Sequence, residues 1–259
     1  MKRTLPFEKY EAAGNDFILL DFLEHAGIDT QDVSLLSRMC DRHFGAGADG
    51  ILVLRSSPEA DFEMLYFNSD GRPSSFCGNG ARAAVAYISG KQGKQHLSFR
   101  AFDGMHRGWV AAGRIGVSMC DMHSWKYLSE GFFVDSGSPH LVVRSANPWE
   151  IDLAKEGRRL RDLFGIEGVN VNFFDQDDSG LRIATYERGV EAETLACGTG
   201  IVATALADNL ERGIRGTIRT PVRAKGGQLE VTMQLSDLMA QGVELVGPAK
   251  CVYSGFYIL

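Results

Sequence analysis

The sequence predicts an α/β (α+β) protein built from two similar domains, and three observations carry that expectation. The stretches "SSFCGNGARAAVAYI" at 74–88 and "TLACGTGIVATALAD" at 194–208 each read cysteine, glycine, a small polar residue, glycine, then an Ala-rich helical run. Their cysteines, Cys77 and Cys197, stand 120 residues apart, each after a strand-like segment and a polar loop, the pattern of an internal duplication with too long a period for a solenoid. With 259 residues and 44% hydrophobic content, the chain is long enough to bury a core in each half.

The elements follow in order. Residues 7–21 start as a strand, break at "AAGND" and resume as "FILLD". "DVSLLSRMCDRH" sets Val33, Leu36 and Met39 at helical spacing and ends near His43. The next segment, "FGAGADG", spells GxGxxG with Gly45, Gly47 and Gly50. A dinucleotide fingerprint follows a strand and opens a helix, whereas here a helix precedes and the apolar strand "ILVLR" follows, so a Gly-rich turn is expected. "DFEMLYFNSDG" reads as a strand closed by a turn, and the first box follows with a helix from Ala81 to Ile88. "HLSFRAF", "MHRGWVAA" and "RIGVSMCD" are short strand candidates, with a domain boundary near 117–124, which sets the domains at 1–118 and 119–249. The second half repeats the scheme: "FFVDSGSPHLVV" as one strand, a helical stretch from Ile151 to Leu163, strands "GVNVNFF" and "LRIATYERG", the second box with its helix, then "GTIRTPVRA" and "GQLEVTM".

Several classes are excluded at this level. A net charge of −6 with scattered Lys and Arg offers no basic stripe, so no nucleic-acid partner is expected. No run approaches the roughly 18 apolar residues of a membrane span, and "MKRTLPFEK" leads into no apolar targeting core, so no membrane partner and a cytoplasmic location are expected. Five cysteines without a CxxC pair fit neither a disulfide framework nor a zinc knuckle, and no metal is expected. The thiols are therefore either buried filler or chemistry.

A helix that begins just after a cysteine offers unpaired N–H groups and the positive end of its dipole, which bind carboxylates and draw a thiol pKa from about 8.5 into the range of roughly 3.5 to 7.5. Gly78, Gly80, Gly198 and Gly200 allow close approach to the backbone, and Asn79 and Thr199 add polar contacts. Two such boxes serving one ligand would hold its carboxylate and set a sulfur on each face of the adjacent carbon. One thiolate removes the α-hydrogen and the opposite thiol returns a proton, an arrangement that racemises or epimerises. A thiol-redox pair is the competing use, although its cysteines usually lie within one helical turn.

These residues are similar to the diaminopimelate epimerase family, over nearly the full chain. "AGNDFILLD" resembles the family's N-terminal segment, "FNSDG" with "CGNGAR" its first catalytic stretch, "GSPH" its histidine motif, "VNVNF" its second asparagine segment and "ERGVEAETLACGTG" its second catalytic stretch. The resemblance implies Cys77 and Cys197 as the acid/base pair, with His140 and Glu187 near the thiols and tuning their ionisation. It implies a carboxylate cradle of Gly78, Asn79, Gly198 and Thr199, with Asn15, Asn68, Asn170, Glu187 and Arg188 binding the rest of the substrate. It also implies a curled mixed sheet around a central helix in each domain, an active site in the interdomain cleft, a terminal strand (250–259) that returns to the first domain, and a homodimer. No heptad or exposed apolar stripe in the sequence speaks to oligomeric state.

The implied activity is a cofactor-independent isomerase, without pyridoxal phosphate, that interconverts LL- and meso-diaminopimelate in lysine and peptidoglycan precursor synthesis. A two-cysteine racemase of histidine or proline type is the alternative within this chemistry, and a ligand-binding or thiol-redox protein the alternative outside it. Three departures bear on recognition of the distal substrate group. Ser138 stands where the family more often has asparagine, Gly50 where many members carry glutamine, and "ERGVEAET" is one residue longer than the common form, which leaves Glu191 to Glu193 unplaced.

Overall fold

The computed structural model describes residues 3–24 and 27–259. Met1 and Lys2, which open the stretch read for a targeting segment, lie outside them. The chain divides into two compact units, one formed by residues up to Val117 with Pro248–Leu259, the other by Ser118–Gly247.

In the first unit, β1 (Thr4–Ala12) turns through Ala13 and Gly14, both at positive φ, into the antiparallel β2 (Asn15–Asp21). The Asp32 carboxylate caps α1 (Val33–Cys40) by accepting from the Leu35 N–H at 2.9 Å. This helix stops at Cys40, short of the expected His43, because Asp41 is extended and its carboxylate accepts from the N–H groups of His43 and Phe44. Val33, read as part of the apolar face, is exposed on the first turn. The GxGxxG segment is the turn from α1 into β3 (Gly50–Arg55), which runs parallel to β2. Then come β4 (Phe62–Asn68), α2 (Gly78–Gln92), β5 (His96–Ala101), β6 (Gly104–Ala111) and β7 (Arg114–Ser118). The middles of β2 and β3, Phe17–Leu20 and Ile51–Leu54, are apolar on both faces because alternate residues serve two helices. Ile18, Leu20, Ile51 and Val53 pack with Leu36 and Met39 of α1, and Leu52 presses on the start of α2.

The second unit opens with β8 (Trp125–Tyr127), β9 (Phe132–Asp135) and β10 (Pro139–Arg144). The segment expected as one strand, "FFVDSGSPHLVV", is thus a hairpin. The Asp135 carboxylate accepts from the Gly137 N–H at 2.9 Å, and Gly137 at φ +104° closes the turn. The stretch expected as one helix from Ile151 to Leu163 is a short 3-10 turn, Pro148–Glu150, followed by α3 (Leu153–Asp162), which starts afresh because Asp152 accepts from the Lys155 N–H at 3.1 Å. Then follow β11 (Asn170–Asp177), β12 (Gly180–Glu187), the short β13 (Ala192–Thr194), α4 (Gly198–Glu211), β14 (Gly216–Ala224), β15 (Gly227–Leu235) and β16 (Ala240–Gly247). The last strand, β17 (Lys250–Ile258), pairs antiparallel with β1 in the first unit.

The duplication is visible in the pairing. The order β17-β1-β2-β3-β4-β5-β6-β7 and the order β8-β9-β10-β11-β12-β14-β15-β16 share one succession of antiparallel and parallel neighbours. The parallel pairs are β2–β3 and β4–β5 in the first unit and β10–β11 and β12–β14 in the second. In each unit one helix joins the first parallel pair, and a second follows the strand after it. That second helix is the centre: α2 touches β1 to β6 and β17, and α4 touches β9 to β12 and β14 to β16. Both units are therefore curled mixed sheets around a central helix, as the family resemblance implies. Residues Gly200 to Leu210 of α4 are all buried, which only an apolar helix rich in small side chains tolerates. Among the described residues no helix is long and apolar enough to cross a membrane.

No exposed apolar stripe was expected from the sequence, but the structure has one. Val252, Phe256 and Ile258 of β17 are all exposed.

Candidate active site

Cys77 is the N-cap of α2, which begins at Gly78, three residues before the expected Ala81, and runs to Gln92 before Gly93 closes it at φ +69°. The Cys77 carbonyl accepts from the Ala81 N–H at 2.8 Å and its sulfur accepts from the Gly80 N–H at 3.4 Å. The sulfur therefore sits on the positive end of the helix, which favours its anion. Around it runs a chain of hydrogen bonds. Arg82 Nη2 donates to Asn79 Oδ1 at 2.9 Å, Asn79 Nδ2 to Asn15 Oδ1 at 2.9 Å, and Asn15 Nδ2 to Asp49 Oδ2 at 2.7 Å. Asp49 and Asp16 are clamped by Arg42, and Lys9 lies 2.6 Å from Asp16. Burial acts to raise the Asp16 pKa, but Arg42 and Lys9 overcome it and hold the carboxyl well below the usual range. Asn15 and Asn79 are thus brought together and oriented beside Cys77.

Asn68, exposed at the end of β4, pairs with Gly50 of β3, which pairs with Phe17 of β2. It shares the sheet end at which β2 begins with Asn15. The space a longer residue would need at Gly50 is filled, since a Cβ there would lie 2.5 Å from both the Tyr66 ring and the Phe67 carbonyl oxygen. Tyr66 is a residue that sequence reasoning missed.

Cys197 is the N-cap of α4, again with Gly198 as the first helical residue, and its sulfur lies 3.4 Å from Thr199 Oγ1. His140 Nε2 is 2.8 Å from the same hydroxyl, and His140 Nδ1 is 2.8 Å from Asn172 Nδ2. Because an amide NH2 only donates, Nδ1 is the acceptor and the ring proton sits on Nε2. The ring then donates to Thr199, whose own proton is left to point at the Cys197 sulfur. His140 is 0% exposed, and burial, followed by the charge of Arg188, pushes its pKa down to about 3. The imidazole is therefore neutral and acts on Cys197 through Thr199. Asn172, also missed in the sequence, accepts from Thr185 Oγ1 at 3.0 Å through its carbonyl, which fixes the amide's orientation. The signal was available, because in "NVNF" Asn172 shares a sheet face with Asn170 by the two-residue period of a strand.

Asn170 donates to Ser138 Oγ at 2.7 Å and to the Pro139 carbonyl at 3.1 Å, and accepts from the Arg188 N–H at 2.9 Å. It braces the two loops that carry the expected recognition residues. Ser138 is thereby tied to Asn170. Arg188 donates to the Glu167 carbonyl at 3.2 Å, and Glu187 ends β12 opposite Ala192 of β13. The lengthened loop is placed as well. Glu191 takes φ +57° and is held there by Tyr186, the Gly189 N–H and Arg161, while Glu193 pairs with Lys225. By strand position, Asn170 corresponds to Gly50 and Glu187 to Asn68, so the duplication supplies both units with polar groups at the same sheet end.

The fold is that of a wider class of proteins. A phenazine biosynthesis protein of the PhzF family from Bacillus anthracis matches with a TM-score of 0.78 at 13% identity, over 99% of this chain and all of its own. A probable proline racemase from Agrobacterium radiobacter matches at 0.74 and 15% identity, over 98% of this chain and 93% of its own. Sequence narrows the class. The family profile for diaminopimelate epimerase matches residues 7–106 and 132–252. Proteins named diaminopimelate epimerase from Flavobacterium psychrophilum and Chlorobaculum tepidum are 37% and 38% identical, covering 95% and 94% of this chain and 97% of each relative. The chain belongs to the diaminopimelate epimerase family.

Proposed function

We propose that the protein interconverts LL- and meso-2,6-diaminopimelate, in lysine and peptidoglycan precursor synthesis, by a two-base reaction of Cys77 and Cys197. The observation that carries this reading is the pair of cysteines standing as N-caps of topologically equivalent central helices. One thiolate takes the α-proton, and the C–H electron pair is left on the α-carbon and delocalised into the substrate carboxylate. The N–H groups of Gly78, Asn79, Gly198 and Thr199 stabilise that growing charge, and the second thiol delivers its proton to the opposite face. One substrate inverts, and the two sulfurs exchange protonation states. Asn15, Asn68, Asn170, Glu187 and Arg188 recognise the distal ammonium and carboxylate, with Tyr66 closing the space left by Gly50. His140 and Asn172 orient Thr199 toward Cys197.

Proton NMR of LL-diaminopimelate with the reduced protein in D2O tests the reading. The α-proton signal should disappear as the meso isomer forms, and Cys77→Ser or Cys197→Ser should slow isomerisation by at least roughly a hundredfold. Absence of exchange by the folded, reduced protein would discard the substrate assignment. Working thiolates need a reducing compartment, which supports a cytoplasmic location. The exposed apolar face of β17 supports a homodimer.

A further inference from the structure

The extra length of the loop "ERGVEAET" has no task in the proposed reaction. Its turn is closed by the Glu191 N–H, which donates to the Glu187 carbonyl at 2.8 Å. Glu191 takes φ +57°, a left-handed conformation in which glycine is the residue of least strain. The other non-glycine residues at positive φ among the described residues are two alanines, Ala13 and Ala112. Glu191 alone of the three carries a functional group, and a strained residue with a functional group points to what that group does.

The Glu191 carboxylate gathers three donors. Its Oε1 accepts from the Gly189 N–H at 3.0 Å and lies 3.3 Å from Nη2 of Arg161 in α3, and its Oε2 accepts from the Tyr186 hydroxyl at 3.1 Å. The Gly189 N–H, ahead of the other two, holds the carboxyl below its ordinary range, so the donors meet an anion at neutral pH. Tyr186 is 0% exposed and pressed on Gly157 of α3, where a Cβ would lie 2.5 Å from its own. The hydroxyl that Glu191 uses is therefore anchored in the core. The ion pair with Arg161 stands in reach of water on both sides and adds little stability. What the carboxylate supplies is position.

The residue so positioned is Arg188. Its own N–H donates to Asn170 Oδ1 at 2.9 Å, and the next N–H along the chain, that of Gly189, donates to Glu191. The two peptide groups that flank the Arg188 Cα are thus each fixed by a side-chain acceptor, and with them the direction in which the side chain leaves the loop. The guanidinium reaches the Glu167 carbonyl at 3.2 Å. The next residue, Gly168, lies under Arg161, since a Cβ there would be 2.7 Å from Arg161 Nε. Arg161 therefore braces both the Glu191 carboxylate and the segment that Arg188 touches.

We propose that Glu191 is a positioning residue whose carboxylate, by holding the Gly189 peptide, aims Arg188 at the distal end of the substrate. This rests on the proposed recognition by Arg188 and adds the residue that directs it. Glycine at 191 would ease the backbone but release the Gly189 peptide, and Arg188 would keep only the Asn170 restraint. The lengthened loop thus carries its own acceptor for the peptide that follows the recognition arginine.

Glu191→Gly removes the carboxylate and relieves the backbone together, so it should fold and melt close to the native temperature. Its KM for diaminopimelate should rise roughly three- to tenfold at nearly unchanged kcat. Amide hydrogen exchange at Gly189, read by NMR without substrate, should quicken. Glu191→Gln keeps an acceptor for the Gly189 N–H, and the Tyr186 hydroxyl can turn to accept from the new amide, so this variant should restore both KM and exchange rate. In an Arg188→Met background, Glu191→Gly should leave KM where it stands, because the residue it aims is gone. A further rise in that background would overturn the proposal, since the effect would then bypass Arg188. A Glu191→Gln protein as impaired as Glu191→Gly would also overturn it, because charge and not orientation would be at work. Epimerisation with a native KM in Glu191→Gly would end the role of Glu191 and leave the activity standing. A native protein that does not epimerise diaminopimelate would overturn the proposed activity, with exchange at Gly189 still reading whether Glu191 holds the loop.

Discussion

The polar residues of the second unit act as a series, each fixing the next. Asn172 sets the tautomer of His140, His140 sets the rotor of Thr199, and Thr199 presents its proton to Cys197. Asn172→Ala should therefore lower kcat by roughly tenfold with little change in KM, because a buried Nδ1 left without its donor is penalised by about 1–3 kcal/mol. Steady-state kinetics check this, and an unaltered kcat would remove Asn172 from the relay. His140 also leaves a mark on stability. The folded protein keeps the ring neutral down to about pH 3, whereas the unfolded chain takes up a proton below the ordinary histidine value of 6.5. The unfolded state then binds more protons, so stability falls as pH drops below about 6.5, by up to about 1.4 kcal/mol per pH unit. Urea melts at about pH 6 and pH 5 should show this loss in the native protein and a smaller one in His140→Gln. The cysteines were legible in the sequence because their signal is local and doubled. Asn172 and Tyr66 were not, because each depends on which side chain lies across the sheet or beneath the helix.

At the level of elements, the second glycine of each box is a packing residue as well as a place for a ligand to approach. A Cβ at Gly80 would lie 2.8 Å from the end of the Leu52 side chain, and one at Gly200 would lie 2.3 Å from Asn172 Oδ1. Leu52 can change rotamer, but Asn172 is fixed by its own hydrogen bonds. Gly200→Ala should therefore destabilise by about 1–3 kcal/mol and disturb the His140 relay, while Gly80→Ala costs less. Thermal melts of the two variants should fall in that order. Most elements could be read from apolar runs and Gly-containing turns. The boundaries of α2 could not, because Gly78, Asn79 and Gly80 are poor helix formers whose place is set by the Cys77 cap and the sheet beneath. The β9–β10 hairpin was read through because its turn is only three residues, and β8 and β13 are too short to show alternation.

On the scale of the whole molecule, the repeat was visible in the sequence only at the boxes. The strand pairings that reveal it are non-local, and corresponding residues such as Phe17 and His140 or Arg82 and Val202 differ in chemistry. The placement of the last strand came from resemblance, since nothing in "CVYSGFYIL" names its partner. The proposed homodimer makes a further prediction: the native protein should sediment at equilibrium as a dimer and Phe256→Glu should shift it toward monomer, whereas a native monomer would discard the dimer and an unchanged dimer mass in the variant would remove β17 from its contact. The pairing of β17 with β1 also bears on how the chain is made. The second unit is continuous in sequence, whereas the first waits for its closing strand until the second has been made. Until then β1 presents a bare edge, with Leu5 and Phe7 incompletely covered, a template for stray pairing with other nascent chains. The earlier-made half of this protein is thus the later one to finish folding, and the arrival of β17 decides when its exposure to aggregation ends.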